Sequence, residues 1–241
     1  HLDHAGGAGL LMKELPNATL LLHPRGKRHM ADPEKLIESV KAVYGEAEYK
    51  KMYGEIFPID KNRIRVVEDN ETVRLGDREL LFIETQGHAK HHHSVFDKQD
   101  AVLFSGDSFG IGYPEFRFGE EQLLFPSTSP TQFNPDEAEK SIDRMVALEP
   151  KRICLTHFGA LTNIKSAAKQ LKDWLKFVVD TGNRLYQEGY RRDNLSNQLE
   201  LEIYQRFNHL IKSHREPDLS PDENRLLEID FSLNAQGVSM Y

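Results

Sequence analysis

Three short apolar runs in this chain each stop on a residue that can ligate a metal. Leu80–Thr85 leads into Gly87-His88, Ala101–Ser105 into Gly106-Asp107, and Ile153–Thr156 directly into His157. Runs of this length, rich in branched and aromatic residues and closed by turn residues, predict strands. A sheet that lays the three side by side brings two imidazoles and a carboxylate together at one end. The sheet fixes the backbone there while the loops beyond stay accessible.

A fourth ligand-bearing stretch opens the chain: His1-Leu2-Asp3-His4-Ala5-Gly6-Gly7. Two imidazoles and a carboxylate within four positions suit metals of the zinc, iron or manganese kind. Taken alone, Asp3-His4 before small residues is equally compatible with a plain helix start. Taken with His88, Asp107 and His157, it gives six candidate ligands. Two metals need about that many, with water in the open positions.

At these positions the chain resembles the metallo-β-lactamase-fold superfamily. Its opening resembles the family's His-x-His-x-Asp-His loop from the second histidine onward. Thr85-Gln86-Gly87-His88-Ala89-Lys90-His91-His92-His93-Ser94 resembles the Thr-Pro-Gly-His segment, with Gln86 in the proline's place. Ser105-Gly106-Asp107 resembles the Gly-Asp segment, and Thr156-His157-Phe158-Gly159 the final histidine. The motifs stand in the family's order.

The resemblance implies an α/β fold, the αβ/βα sandwich of that family with a C-terminal helical extension. It also implies N-terminal strands, and a further histidine two places before His1, upstream of this chain. It implies two divalent metal ions, zinc first, with iron or manganese as alternatives. His1 and His88 would hold one ion, Asp3, His4 and His157 the other, and Asp107 would bridge them. Asp3 would also orient the hydroxide or accept a proton. His92 would sit behind the ligands, since the family often has a histidine four places after the first. Three consecutive histidines on a strand cannot all face one metal, so His91 and His93 are expected at the surface.

A hydroxide between two cations roughly 3.5–4 Å apart is nucleophilic near neutral pH, and the cations polarise the scissile carbonyl or phosphoryl oxygen. The implied function is a binuclear metal-dependent hydrolase of a small ester, thioester, lactone or phosphoester. No protein nucleophile competes for the role, because Gly-x-Ser-x-Gly is absent and Cys154 lies within a strand pattern. The superfamily also contains non-hydrolytic di-iron proteins that bind or reduce oxygen or nitric oxide. These usually carry glutamate where this chain has His1, so that residue favours the hydrolase.

With 241 residues, 39% hydrophobic and 29% charged, the chain suits one large domain or a core with an appendage. The net charge of −7 and the lack of a basic run argue against nucleic acid and anionic membrane. A small-molecule substrate is expected instead, with oligomeric state open and a homo-oligomer compatible. The single cysteine excludes an internal disulfide, and no signal peptide or bilayer-length apolar run is visible. A cytoplasmic location is expected on that basis.

Residues 1–160 read as the metallo-β-lactamase-like core. Thr19–His23 is a short apolar run, and Asp32-Pro33 caps a helix through Val43. Ile64–Val67 and Thr72–Leu75 are expected to form a hairpin, and Asn134-Pro135 opens a helix to about Leu148. His23 and His29 fall around a solvated turn. Residues 161–241 read as a helical extension packed on that core. Ile164 to Val179 repeats at helical spacing around Trp174, Leu195–Ile211 forms a second helix, and Ser220-Pro221-Asp222-Glu223 is a capping box opening a third that stops near Gly237. The long stretch Ser108–Phe133 has little regular pattern. Tyr113, Phe116 and Arg117 are its candidates for lining a substrate pocket, and packing by its own aromatics is the equal alternative.

Overall fold

The computed structural model describes the whole chain except Ser129, Thr131 and Pro217, and the side chains of Val43 and Tyr44. Contacts divide it into two compact units, His1–Asp69 and Asn70–Tyr241.

The first unit carries α1 (Leu2–Ala5), α2 (Ala8–Glu14), β1 (Leu20–Leu22), α3 (Lys27–Ala31), α4 (Glu34–Tyr44), α5 (Glu46–Tyr53) and β2 (Ile64–Val66). β1 and β2 pair in parallel, with Leu20 opposite Ile64 and Leu22 opposite Val66. Met12, Leu22, Met30, Ile59 and Ile64 form its apolar centre. A single guanidinium closes α2. Arg63 donates to the carbonyls of Met12 (2.7 Å), Leu15 (2.5 Å) and Ala18 (3.0 Å), supplying acceptor-rich chain at a helix end with the donors it lacks. The helix expected from Asp32 starts one position later, because Asp32 ends α3 and Pro33 stands at the cap of α4. His23 is buried rather than solvated, and its Nδ1 accepts the Arg25 N–H at 3.1 Å. His29 is exposed.

The second unit carries β3 (Thr72–Leu75), β4 (Arg78–Glu84), β5 (His93–Asp97), β6 (Val102–Phe104), β7 (Arg117–Phe118), β8 (Glu121–Gln122), α6 (Pro135–Ala147), β9 (Arg152–Cys154), β10 (Ala160–Leu161), α7 (Ile164–Gln187), α8 (Arg192–Lys212) and α9 (Pro221–Ser239). Its main sheet has the order β10-β9-β6-β5-β4-β3. Only the β6–β9 pairing is parallel; the others are antiparallel. That parallel pair is joined through α6, as a parallel connection requires a crossover. Asn134 caps α6 by accepting the Glu137 N–H at 3.1 Å, with Pro135 in the first turn.

The expected hairpin does not form. Ile64–Val66 pairs with β1, and Thr72–Leu75 pairs with β4 instead. Asp69-Asn70 is a turn, with Asn70 at φ +62°, yet it joins no pair of strands, whereas Gly76-Asp77 links Leu75 to Arg78 directly, with Gly76 at φ +59°. Two-residue strand connections favour such a glycine.

Helices and sheet share one apolar core in this unit. Ile83, Leu103 and Ile153 of the sheet cluster with Met145 of α6, Leu171 and Trp174 of α7, Phe207 of α8 and Phe231 of α9. On α8 the buried residues are Leu195, Leu199, Ile203, Phe207 and Ile211, an i, i+4 stripe that aims one face inward.

The capping box is present at Ser220 and Glu223, but α9 runs past Gly237 to Ser239. Gly237 is not a stop signal. A Cβ there would lie 2.7 Å from the carbonyl oxygen of Thr128, so its lack of a side chain admits that loop. Asn234 completes the clamp: its Oδ1 accepts the Thr128 N–H at 3.1 Å, and its carbonyl accepts the Thr128 hydroxyl at 2.8 Å. The loop from 108 to 133 is thus packed down, with Phe109, Ile111, Phe116, Leu124 and Phe125 inside; Ser129 and Thr131 lie outside the described residues. No helix among the described residues is long and apolar enough to cross a membrane.

Candidate metal centre

His88, Asp107 and His157 converge at the ends of β4, β6 and β9. The two oxygens of Asp107 face different imidazoles. Oδ2 is 3.2 Å from His88 Nε2, and Oδ1 is 3.4 Å from His157 Nε2. Asp107 is 4% exposed and His88 7%.

Each side chain is set by its local backbone. Gly87, at φ +121°, brings the β4 loop so close to α6 that a Cβ would lie 2.4 Å from the backbone of Ala138. The Asn134 N–H donates to the Gly87 carbonyl at 2.9 Å, and the Ser141 hydroxyl to the Gln86 carbonyl at 2.6 Å. His88 Nδ1 lies 2.9 Å from the Ser127 carbonyl oxygen. A carbonyl only accepts, so this bond puts the proton on Nδ1 and makes Nε2 the basic nitrogen. That is the orientation metal-ligating histidines take when their other nitrogen is held by a carbonyl.

His92 stands behind the carboxylate and does not face it. Its Nε2 accepts the Asp107 backbone N–H at 3.0 Å. Its Nδ1 lies 2.9 Å from Thr85 Oγ1 and 3.1 Å from Ser108 Oγ. Thr85 Oγ1 in turn meets Ser94 Oγ at 2.9 Å, and Ser94 donates to the Ser105 carbonyl at 3.0 Å. Thr85, Ser94, Ser105 and Ser108 are all buried. A buried, connected network of this kind rigidifies what it holds, here the backbone that carries Asp107. His92→Phe removes the acceptor for the Asp107 N–H. The expected result is a loss of about 10–100-fold in metal affinity, read by competition with a chromophoric chelator, with the secondary structure retained.

His157 follows β9 in a turn pinned at both ends. Its carbonyl accepts the Gly112 N–H at 3.2 Å, and the Leu155 N–H donates to the Gly159 carbonyl at 3.0 Å. Beside it, the Tyr113 ring lies 4.6 Å from that of Phe158, and the Tyr113 hydroxyl donates to Asp230 of α9 at 2.6 Å. Burial and the bond to Asp230 push the Tyr113 phenol above its ordinary range. Burial also raises the Asp230 carboxyl, against the opposing pull of Tyr113 and His157.

The three residues expected to face substrate stand differently. Phe116 is fully buried, 5.1 Å ring to ring from Phe207, so it is a core residue with no surface to offer. Tyr113 is buried with its hydroxyl engaged. Arg117 is exposed and donates to Gln122 Oε1 at 3.1 Å and to the Ala160 carbonyl at 3.2 Å. Of the remaining histidines, His93 is half-buried at the start of β5, its ring 5.3 Å from Phe82, and His91 is also half-buried. In the first unit, His1 caps α1, while Asp3 and His4 stand on its exposed side with His4 Nε2 3.1 Å from Asp3 Oδ2.

Residues 1–157 match the family model of the metallo-beta-lactamase superfamily. The metallo-beta-lactamase fold-containing protein ST1585 of Sulfurisphaera tokodaii is 31% identical over 179 residues, which is 73% of this chain and 63% of that protein. The chain thus spans less than two thirds of that relative's length. The crystal structure of ST1585, an archaeal metallo-beta-lactamase superfamily protein from Sulfolobus tokodaii, superposes with a TM-score of 0.61 at 22% identity, covering 95% of this chain and 73% of that one. The metallo-beta-lactamase family protein TTHA1429 from Thermus thermophilus superposes with a TM-score of 0.57 at 18% identity, covering 83% of this chain and 64% of that one.

Proposed function

From the premise that this chain belongs to the metallo-β-lactamase superfamily, with its αβ/βα fold and a C-terminal helical region, we propose that it is a binuclear metal-dependent hydrolase. Its substrate is a small ester, thioester, lactone or phosphoester. The observation that carries this reading is the buried Asp107 carboxylate facing one imidazole with each oxygen.

That donor set fits the group. Imidazole nitrogen with carboxylate oxygen suits zinc, iron or manganese better than calcium or magnesium, which prefer all-oxygen shells. We assign Asp107 as the bridge, His88 to the first ion and His157 to the second. The family pattern adds His1 to the first, and Asp3 and His4 to the second. Bound there, divalent ions lower the pKa of water and polarise a carbonyl or phosphoryl oxygen. The protein supplies orientation. The Ser127 carbonyl holds the His88 proton on Nδ1, His92 holds the backbone of Asp107, and a carboxylate oxygen of Asp3 is the assigned proton acceptor. Residues 1–160 act as the catalytic core and 161–241 as its helical extension. Partners are small molecules rather than nucleic acid or membrane, the location is cytoplasmic, and a homo-oligomer is compatible with the reading.

The test is a panel of esters, thioesters, lactones and phosphoesters offered to full-length protein reconstituted with zinc, manganese or iron. Hydrolysis of at least one class is expected, with His88→Ala lowering metal content and rate together. A panel that stays silent, with His88→Ala leaving metal content unchanged, contradicts the proposal.

A further inference from the structure

Phe158 occupies a backbone conformation that a bulky residue avoids. Its φ is +73°, and Gly159 beside it takes +90°. Among the described residues, the other non-glycine positions with positive φ are Asn70, Ala101, Glu149 and Arg192, so Phe158 is the one aromatic among them. A left-handed conformation is easy for glycine and tolerated by asparagine, and it costs a side chain with a large Cβ substituent. Burial does not offset that cost here. Phe158 is 44% exposed as a residue and is not part of the apolar core cluster of its unit. Its neighbours are Tyr113, at 4.6 Å between ring centres, and His157, at 6.3 Å.

The aromatic packing of this strained, half-exposed ring is with Tyr113 and His157, next to a metal-ligand candidate, and backbone strain in such a place points to function. Resting on the hydrolase reading above, we infer that Phe158 is the substrate-specificity residue of this site. The turn holds its ring against Tyr113 to make an aromatic face beside His157. Tyr113 is itself fixed through its hydroxyl bond to Asp230, at 2.6 Å, so the face is rigid before anything binds. An aromatic face of this kind takes a flat apolar group by offset or edge stacking. The substrate class is therefore narrowed to esters, thioesters or lactones whose acyl part is aromatic or broadly apolar, rather than acetyl-sized.

The test titrates zinc-loaded protein with benzoate and with acetate, two product-like carboxylates, by calorimetry. Wild type is expected to bind benzoate about tenfold more tightly than acetate. Phe158→Asn is expected to remove that preference while zinc content is unchanged and the melting temperature stays level or rises. Phe158→Tyr is expected to keep it. The inference is overturned if wild type shows no preference, if Phe158→Asn retains it, or if Phe158→Asn melts more than about 5 °C lower, which would make the ring a packing residue. Absence of turnover in the substrate panel would sink the hydrolase reading and still leave this titration readable.

Discussion

Asp107→Asn should lower kcat/KM by about 10³-fold or more and reduce bound metal below two ions per chain, with the fold intact. The substitution keeps side-chain volume and leaves the backbone N–H, which donates to His92 Nε2, in place. What it removes is one carboxylate oxygen and the negative charge. Both oxygens are in use: one stands 3.2 Å from His88 Nε2 and the other 3.4 Å from His157 Nε2. An amide presents a donor on one side, so it cannot serve two cations from a site only 4% exposed. The measurements are steady-state kinetics on the best substrate of the panel and elemental analysis, with circular dichroism to check the fold. Retention of two metals and wild-type rate would remove Asp107 from the site.

Phe207→Ala should cost about 3–5 kcal/mol of stability, a large part of the roughly 5–15 kcal/mol typical of a native domain. Phe207 is fully buried on α8. Its ring lies 5.1 Å from Phe116, 5.7 Å from Phe125, 5.5 Å from Phe231 of α9 and 6.5 Å from Trp174 of α7. Truncation leaves a cavity bounded by three helices and the loop that follows β6, and aromatic rings surrounding it cannot collapse inward without leaving their own contacts. Urea unfolding should show a lower midpoint and an unchanged slope. A loss under about 1 kcal/mol would mean that these rings do not act as one core.

The parts of this structure readable in the sequence are those set by short-range rules. The caps at Asn134 and Ser220 depend on a side chain and an amide three residues apart, so local sequence suffices. The strand ends at His88, Asp107 and His157 are legible for the same reason, whereas His92, four residues after His88, is singled out by the family resemblance and not by a local rule. Long-range packing is not. Ser127 meets His88 Nδ1 through both its carbonyl (2.9 Å) and its hydroxyl (3.1 Å), across 39 positions that no local rule spans. Asp230 reaches Tyr113 across 117 positions, and on α9 it reads like any polar helical residue. Phe116 escapes sequence reasoning because an aromatic in an irregular stretch looks the same whether it faces a pocket or the core. The hairpin has a visible remedy: Gly76-Asp77 is a stronger turn signal than the acidic run from Glu68 to Glu71. Gly237 shows the reverse case, a glycine kept for a close approach by Thr128 that looks in sequence like a helix stop.

The most direct test of the two-metal hydrolase is a titration of metal-stripped protein with zinc, following elemental content and hydrolysis together. Two equivalents per chain are predicted, with turnover appearing as the second is taken up. Metal uptake without hydrolysis at any loading, or purified protein carrying iron with a visible iron–oxo absorption band and consuming oxygen, would contradict it.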